Sequence, residues 1–361
     1  MRSLDAADIE AIAIGAAILG TGGGGNPYIG KLRCLEELKK GRRIDLVGLD
    51  ELADDAVVVS VGGIGAPVIG IEKFEQGEEC LKALRAVEAH CGRKADALIA
   101  AEIGGGNSME PMLTAAQAGI PVVDGDGMGR AFPEMQMTSF SIYGNASTPA
   151  AMADEKGNVV LFATAVDDRW FERLARATVI VMGGAAGSAT APMTGAYVKR
   201  AAIPGTVTQA LGLGQAVLDA NCRHLDPIEL ICRREQGIRL MDAKITDLVR
   251  HLKGGFAAGE IALEGIGPDA GMSGWIALQN EFLLFRRNGV VEVSVPDLIL
   301  LLDLDSGRAI TTEMLRFGQR VAVVALPCHA LLRTQEALAV VGPAAFGFDD
   351  VAYRPLALPA S

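Results

Sequence analysis

The chain holds 361 residues, 44 of them acidic and 33 basic, for a formal charge of −11. Half of the residues are hydrophobic and 21% are charged, which excludes a disordered chain, and the length suffices for two or three domains of ~100–200 residues without disulfide or metal staples. The acidic excess persists on both sides of Arg239, with 22 basic and 30 acidic residues before it and 11 and 14 from it onward, so no basic face should attract nucleic acid or an anionic membrane.

Glycine is over-represented, 44 residues gathered in runs against a usual ~7%, which points to backbone approached closely by ligand or by other backbone. The six cysteines (34, 80, 91, 222, 232, 328) form no CxxC and read as reduced thiols. MRSLDAADIE carries three acids where a signal peptide needs an apolar stretch. Residues 11–30 and 177–198 are uncharged but broken by Gly, Pro, Ser, Thr or Asn, and read as buried elements rather than membrane spans. A cytoplasmic protein is expected.

Ile9, Ile12, Ala13, Ala16 and Leu19 predict an opening helix that ends at Gly20. GTGGGGNP follows; Asn26 can cap and Pro27 can begin a second helix through Leu38. From residue 56, short apolar runs ending in glycine alternate with helical stretches: AVVVSV, a helix near 77–90, ADALIAA with EIGGGNS, a helix near 109–118, and PVV with DGDGMGR. NVVLFATA, a helix over 167–176, TVIVMGG as a strand and a helix near 206–219 continue the series. Such alternation predicts an α/β fold, a mostly parallel sheet in a three-layer sandwich over residues 1–238, with ligands beyond the carboxyl ends of the strands.

Residues 239–361 read as a β-rich, barrel-like second domain whose tail returns to the first. FLLFRR-NG-VVEVSV is a hairpin signature, since Asn288–Gly289 suits a type I′ turn. KITDLVRHL, GEIALEG, ITTEML and RVAVVALP read as further strands, and IALQNEFLLF as one strand interrupted by polar residues.

Three constellations carry chemistry. Gly20, Gly22 and Gly25 satisfy GxGxxG, but a helix precedes them where a dinucleotide fingerprint needs a strand, and no Gly-Lys-Ser/Thr follows. The run is either a tight interhelical turn or, through the N–H groups of Gly22, Gly23, Gly24 and Gly25, a cradle for a carbonyl or a developing negative charge. Glu102, Asn107, Asp124, Asp126, Arg130 and Glu134 follow two successive strands. Converging, their carboxylates would push one pKa up and leave another low, supplying acid and base, or would hold a divalent cation; alternatively, Asp-Gly and Gly-Asn are ordinary turn dipeptides. Gln279-Asn280-Glu281 places polar groups in an apolar strand, which suits a cleft as well as an exposed edge. Cys222-x-His224 and Cys328-His329 lack the spacing of a zinc site, neighbours on a strand point to opposite faces, and GSAT at 187–190 lacks the GxSxG elbow.

Together, GTGGGGNP at 20–27, EIGGGNS at 102–108, DGDGMGRAFPE at 124–134, QNE at 279–281, PDLI at 296–299 and VGPAAFGFD at 341–349 resemble the S-methyl-thiohydantoin desulfurase-like family over nearly the whole chain. The resemblance implies an α/β sandwich with a β-barrel-like partner and makes Glu102, Asn107, Asp124, Asp126, Arg130, Glu134 and the glycines members of shared motifs without assigning them roles. Asn26 stands where Asp is often expected, and Cys328-His329 lies outside the motifs.

The expected activity is hydrolysis of a small cyclic amide or thioimidate, foremost S-methyl thiohydantoin to hydantoin with release of methanethiol. Asp124 or Asp126 would activate water, Glu102 or Glu134 would protonate the ring nitrogen, and Asn26, Asn107, Arg130, Asn280, Glu281 and the glycine amides would hold the ring. A metal- or ATP-dependent hydantoinase or oxoprolinase and a non-enzymatic ligand-binding subunit are the alternatives. No cofactor is identified, a divalent metal stays open, and a homo-oligomer is expected. Glu102 and Asp124 should stand on adjacent parallel strands, with the glycine run and Glu281 closing one crevice around them.

Overall fold

The computed structural model describes residues 1–65, 69, 73, 75–253 and 256–357. Sheet A contains β1 (Arg2–Ser3), β2 (Asp45–Val47), β3 (Val57–Gly65), β4 (Ala97–Ala100), β5 (Val122–Asp126), β6 (Ala150–Ala153), β7 (Val159–Phe162), β8 (Ala185–Ala189), β9 (Met193–Thr194) and β10 (Ile203–Pro204). Its order is β1-β2-β5-β4-β3-β8-β6-β7, with β10 against β5 and β9 against β3. Parallel pairing runs through the centre, β2-β5-β4-β3, and the flanking pairs are antiparallel.

Strand alternation puts Val57, Val59 and Val61 on one face and Val58 on the other, and both faces are covered. On the first face lie α1 (Ala6–Leu19), α2 (Tyr28–Lys39), α3 (Glu79–Cys91) and α4 (Met109–Ala118), with α6 (Thr206–Arg223) beyond; α5 (Asp168–Val181) packs near β3 and β8, and α7 (Pro227–Glu235) follows α6. A capping box between Asp5 and Asp8 starts α1. A side chain at Gly15 would meet Ala210 O at 1.8 Å and one at Gly214 would meet Ala11 O at 1.8 Å, so two glycines set the approach of α1 to α6.

Sheet B is antiparallel, in the order β15-β14-β13-β12-β11-β17-β16. Its strands are β11 (Ile238–Lys253), β12 (Phe256–Gly265), β13 (Ser273–Gln279), β14 (Glu281–Arg287), β15 (Val290–Ser294), β16 (Leu298–Asp303) and β17 (Arg320–Leu326). The sheet curls into a half-barrel that brings its edge strands β15 and β16 together. Ile299, Leu301, Val321 and Val323 fill its own core, while Leu298, Leu300, Leu302 and Val324 point the other way and join the core of sheet A. Alternation along two strands thus fuses the two halves. The chain tail also returns: α8 (Gln335–Val341) packs on the first half, where Tyr143 Oη donates to Leu331 O at 2.6 Å.

Three expected strands differ. TVIVMGG is not a strand, because Phe171, Ala175 and Val179 continue the i, i+4 spacing of α5 and helical burial overrides the β-branched composition. ITTEML forms a single turn at Thr312–Met314, since its backbone pairs instead with the glycine run, Thr312 N donating to Gly22 O at 2.8 Å. IALQNEFLLF breaks into β13 and β14 at Asn280, which turns the chain at φ 57°. The Asn288–Gly289 turn has φ 49° and 81°, as a type I′ hairpin requires.

Candidate active site

β4 and β5 are adjacent and parallel, so the segments leaving them run side by side at their carboxyl ends. Glu102 leaves β4 and Asn107 stands in the turn that starts α4. Asn107 Nδ2 donates to Glu102 Oε1 at 2.5 Å, its Oδ1 accepts Gly63 N at 2.6 Å, and Phe132 N donates to Glu102 Oε2 at 3.1 Å. The Glu102 carboxylate is therefore held by Asn107 and by the segment after β5, and β3 acts on it through Asn107.

The glycine run is a wedge between the two halves. Thr21 O accepts Phe282 N at 2.8 Å and Gly22 O accepts Thr312 N at 2.8 Å, both from the β-rich half, while Gly24 O accepts Gly106 N at 2.9 Å. A side chain at Gly23 would lie 1.9 Å from Glu281 Oε1 and one at Gly24 would lie 2.2 Å from Gly104 O. Only glycine lets Glu281, at the start of β14, reach across to the Glu102 side.

Glu102 and Glu281 are 6% and 2% exposed and both line one cavity of about 460 Å³. Burial pushes the Glu102 carboxyl up to about 7, against the pull of the Asn107 and Phe132 donors. Burial pushes Glu281 well above the usual carboxylate range, the neighbouring Glu102 charge adds to this, and Arg130 and the Gly24 amide oppose it. Among the described residues Glu281 Oε2 has no hydrogen-bond partner. Two carboxyls held above their usual range, chiefly by burial, thus share a concave, largely buried site.

Gly24, Gly25, Asn26, Glu134 and Asn280 line the same cavity. Asn280 is locked by a pair of hydrogen bonds with Ala257, and Glu134 accepts from Gln136 Nε2. Gly22 and Gly23 stand behind the wall, packed on Phe282 and Glu281.

Three expected site residues lie elsewhere. Asp124 is outside the cavity: its carboxylate takes Thr208 N at 3.0 Å and Thr208 Oγ1 at 2.5 Å, and so caps α6. Asp126, 0% exposed, accepts the amides of Ile103, Met128 and Gly129 and ties together the segments that follow β4 and β5; burial pushes its carboxyl up to about 7. Arg130, also 0% exposed, donates to Ala131 O, Pro296 O, Asp297 O, Thr21 Oγ1 and Phe282 O and stacks 4.7 Å from the Phe132 ring. It staples the halves together behind the site. All three have buried or capping partners because loop ends at the carboxyl edge of a sheet must satisfy their own backbone before serving a ligand.

Cys328 borders a separate cavity of about 240 Å³, with its sulfur 3.4 Å from Arg333 Nε and 3.7 Å from Tyr353 Oη. Burial pushes that thiol up to about 11. Among the described residues no three His, Cys, Asp or Glu side chains gather in an arrangement that could hold a metal ion.

A further stretch of the cavity lining was not among the expected site residues: Gly62 and Gly63 of β3, Cys80, hydrogen-bonded to Gly62 O, and Glu110, hydrogen-bonded to Cys80. The signal for it was the glycine pair directly after an apolar strand. Cys80 and Glu110, inside helical stretches of ordinary composition, gave none.

A family model described as S-Me-THD-like, N-terminal domain, matches residues 7–164, and one described as S-Me-THD-like, C-terminal domain, matches residues 166–356. The models meet at residue 165, before β8, β9 and β10 complete sheet A, so the family boundary is not the boundary between the sheets. No curated protein matches the chain. The crystal structure of a protein from Chromobacterium violaceum is similar over 99% of this chain and 100% of that one, at 26% identity and a TM-score of 0.81. With both models together spanning nearly every residue, the chain belongs to the S-Me-THD-like, that is S-methyl-thiohydantoin desulfurase-like, family.

Proposed function

We propose that this protein is a hydrolase of a small five-membered cyclic thioimidate, S-methyl thiohydantoin foremost, giving hydantoin and methanethiol. The observation that carries the reading is the pair Glu102 and Glu281, brought from opposite halves into one cavity and both held above the usual carboxylate range. Family membership supports the ring class.

Glu102, partly ionised near neutral pH, takes a proton from water as the water attacks the ring carbon between the two nitrogens, the one bearing sulfur. Glu281, still protonated, gives its proton to the adjacent ring nitrogen. Such acid–base help is worth ~10²–10⁴ from each group. Asn107 orients Glu102, and the open backbone at Gly25, with nothing within 4 Å of where a side chain would stand, leaves room for the ring carbonyl to approach the glycine amides. Asp124 and Asp126, expected as bases, have no place in this scheme.

Incubation of the purified protein with S-methyl thiohydantoin and with hydantoin, following thiol release and ring opening separately, tests the reading. Methanethiol with an intact hydantoin ring is expected. Ring opening of hydantoin alone, or only with added metal or ATP, would replace it with an amidohydrolase, and no turnover of either ring would leave a ligand-binding role.

A further inference from the structure

The same cavity carries a second proton-bearing pair, beside the first. Cys80, in the first turn of α3, places its sulfur 3.4 Å from Glu110 Oε2 and 3.6 Å from Gly62 O. The next atoms of that same peptide unit, Gly63 N–H, donate to Asn107 Oδ1 at 2.6 Å, and Asn107 holds Glu102. One peptide group therefore separates the two pairs: with about 2.3 Å from N to O across it, Cys80 Sγ lies no more than about 9 Å from the Asn107 amide oxygen. The two pairs are thus neighbours, and Cys80, Glu110, Glu102 and Glu281 all line the shared cavity of about 460 Å³, which has room for a five-membered ring with one small substituent. Glu281, 2% exposed and with its Oε2 unpartnered among the described residues, marks the cavity as built for a ligand.

Resting on the reading above, we infer that Cys80 and Glu110 form the subsite of the departing thiolate, with Glu110 as its proton donor. An alkyl thiolate is a poor leaving group unless protonated, since its conjugate acid is weaker than a cysteine thiol at ~8.5. In the tetrahedral adduct the hydroxyl proton passes to Glu281, left as a carboxylate when it protonated the ring nitrogen, as the carbonyl forms, and Glu102 later releases to solvent the proton it took from the attacking water. The carbon–sulfur bond breaks, its electron pair stays on sulfur, and sulfur takes the Glu110 proton; Glu110 is reprotonated from water once methanethiol has left. Cys80 supplies a soft, polarisable wall for the methylthio group and keeps the Glu110 oxygen turned toward it. Burial, with Glu75 nearby, pushes the Glu110 carboxyl up to about 7, against the opposing Arg33 charge, so it keeps a share of its protons near neutral pH. The Cys80 thiol, fully enclosed and driven well above its usual range, stays protonated and acts as neither nucleophile nor base.

The test compares thiol release from S-methyl thiohydantoin and from its S-(2,2,2-trifluoroethyl) analogue, a small substrate with a far better leaving group, in wild type, Glu110→Gln and Cys80→Ala. Glu110→Gln should lose about 100-fold in kcat on the S-methyl substrate and less than about tenfold on the trifluoroethyl one, and Cys80→Ala should show the same pattern at about a tenth of the size. Activity retained on the analogue also reports that each variant is folded. Equal losses on both substrates, or none on the S-methyl one, while the wild type turns over, overturn the leaving-group role and leave the hydrolase reading standing. No thiol from either substrate with wild type overturns both.

Discussion

Asn107 gives its side-chain amide to Glu102 at 2.5 Å while its own oxygen takes the Gly63 amide at 2.6 Å. The side chain is thus oriented by the backbone of β3 and in turn orients the carboxylate. Asn107→Asp keeps the shape but sets a second acceptor against Glu102. We expect kcat to fall by about 10²-fold with KM within about threefold, measured by initial rates of thiol release, because the loss is in positioning and acid–base poise rather than in ring binding.

Ionisation of the pair sets the pH dependence. As the proposed base, Glu102 must first lose the proton that burial holds to about 7, so kcat/KM should rise through that region. At higher pH it should fall again as the proposed donors Glu110, held to about 7, and Glu281, held well above the usual carboxylate range, lose the protons they must give. A pH–rate profile should be bell-shaped with its acid limb near 7. Glu281→Gln, which holds no such proton, should lose most of the rate and leave on the alkaline side only the fall that belongs to Glu110.

The same burial makes Glu102 costly to the fold. Its folded pKa of about 7 lies above the ~4.3 of an unfolded glutamate, so between those values the folded chain holds a proton that the unfolded chain has released, and stability falls as pH rises through that window. Glu102→Gln removes the charge that must be buried at pH 8. Its melting temperature should exceed that of wild type by about 2–4 °C at pH 8 and match it near pH 4, while activity is lost.

Neighbouring glycines should respond differently to the same methyl group. At Gly23 it would sit 1.9 Å from Glu281 Oε1, at the end of a side chain that can swing away, so Gly23→Ala should displace Glu281 and abolish turnover while costing the fold no more than about 1–3 kcal/mol. At Gly25 nothing lies within 4 Å, and the cost is that of holding φ at 79°, about 1 kcal/mol. Chemical denaturation of both variants, read beside their activity, separates packing from catalysis.

Periodicity and turn chemistry made most of the architecture legible: the apolar runs of β3, β4 and β5, the helix at 109–118 and the Asn288–Gly289 turn all stand where local patterns put them. The site was legible only where distant motifs carried unusual polarity. Glu102, Asn107 and Glu281 stood out because polar residues interrupted glycine-rich or apolar stretches. Asp124 and Asp126 stood out equally, yet local pattern cannot tell a carboxylate that faces a cavity from one that caps α6 or gathers three amides. Arg130 looked like a substrate clamp, but each of its hydrogen bonds goes to protein groups, four of them far away in sequence. Glu110 and Cys80 were invisible for the converse reason, since a helix turn of ordinary composition acquires its chemistry only from the strand it packs against.

The central claim is that Glu102 and Glu281, and not Asp124, do the chemistry. Methanethiol release from S-methyl thiohydantoin should be measured for wild type, Glu281→Gln and Asp124→Asn at pH 7.5. Wild type should turn over, Glu281→Gln should lose at least about 10²-fold in kcat, and Asp124→Asn should stay within about threefold while its melting temperature drops with the weakened cap of α6. Full activity of Glu281→Gln, or loss in Asp124→Asn of a folded and otherwise stable protein, would contradict the account.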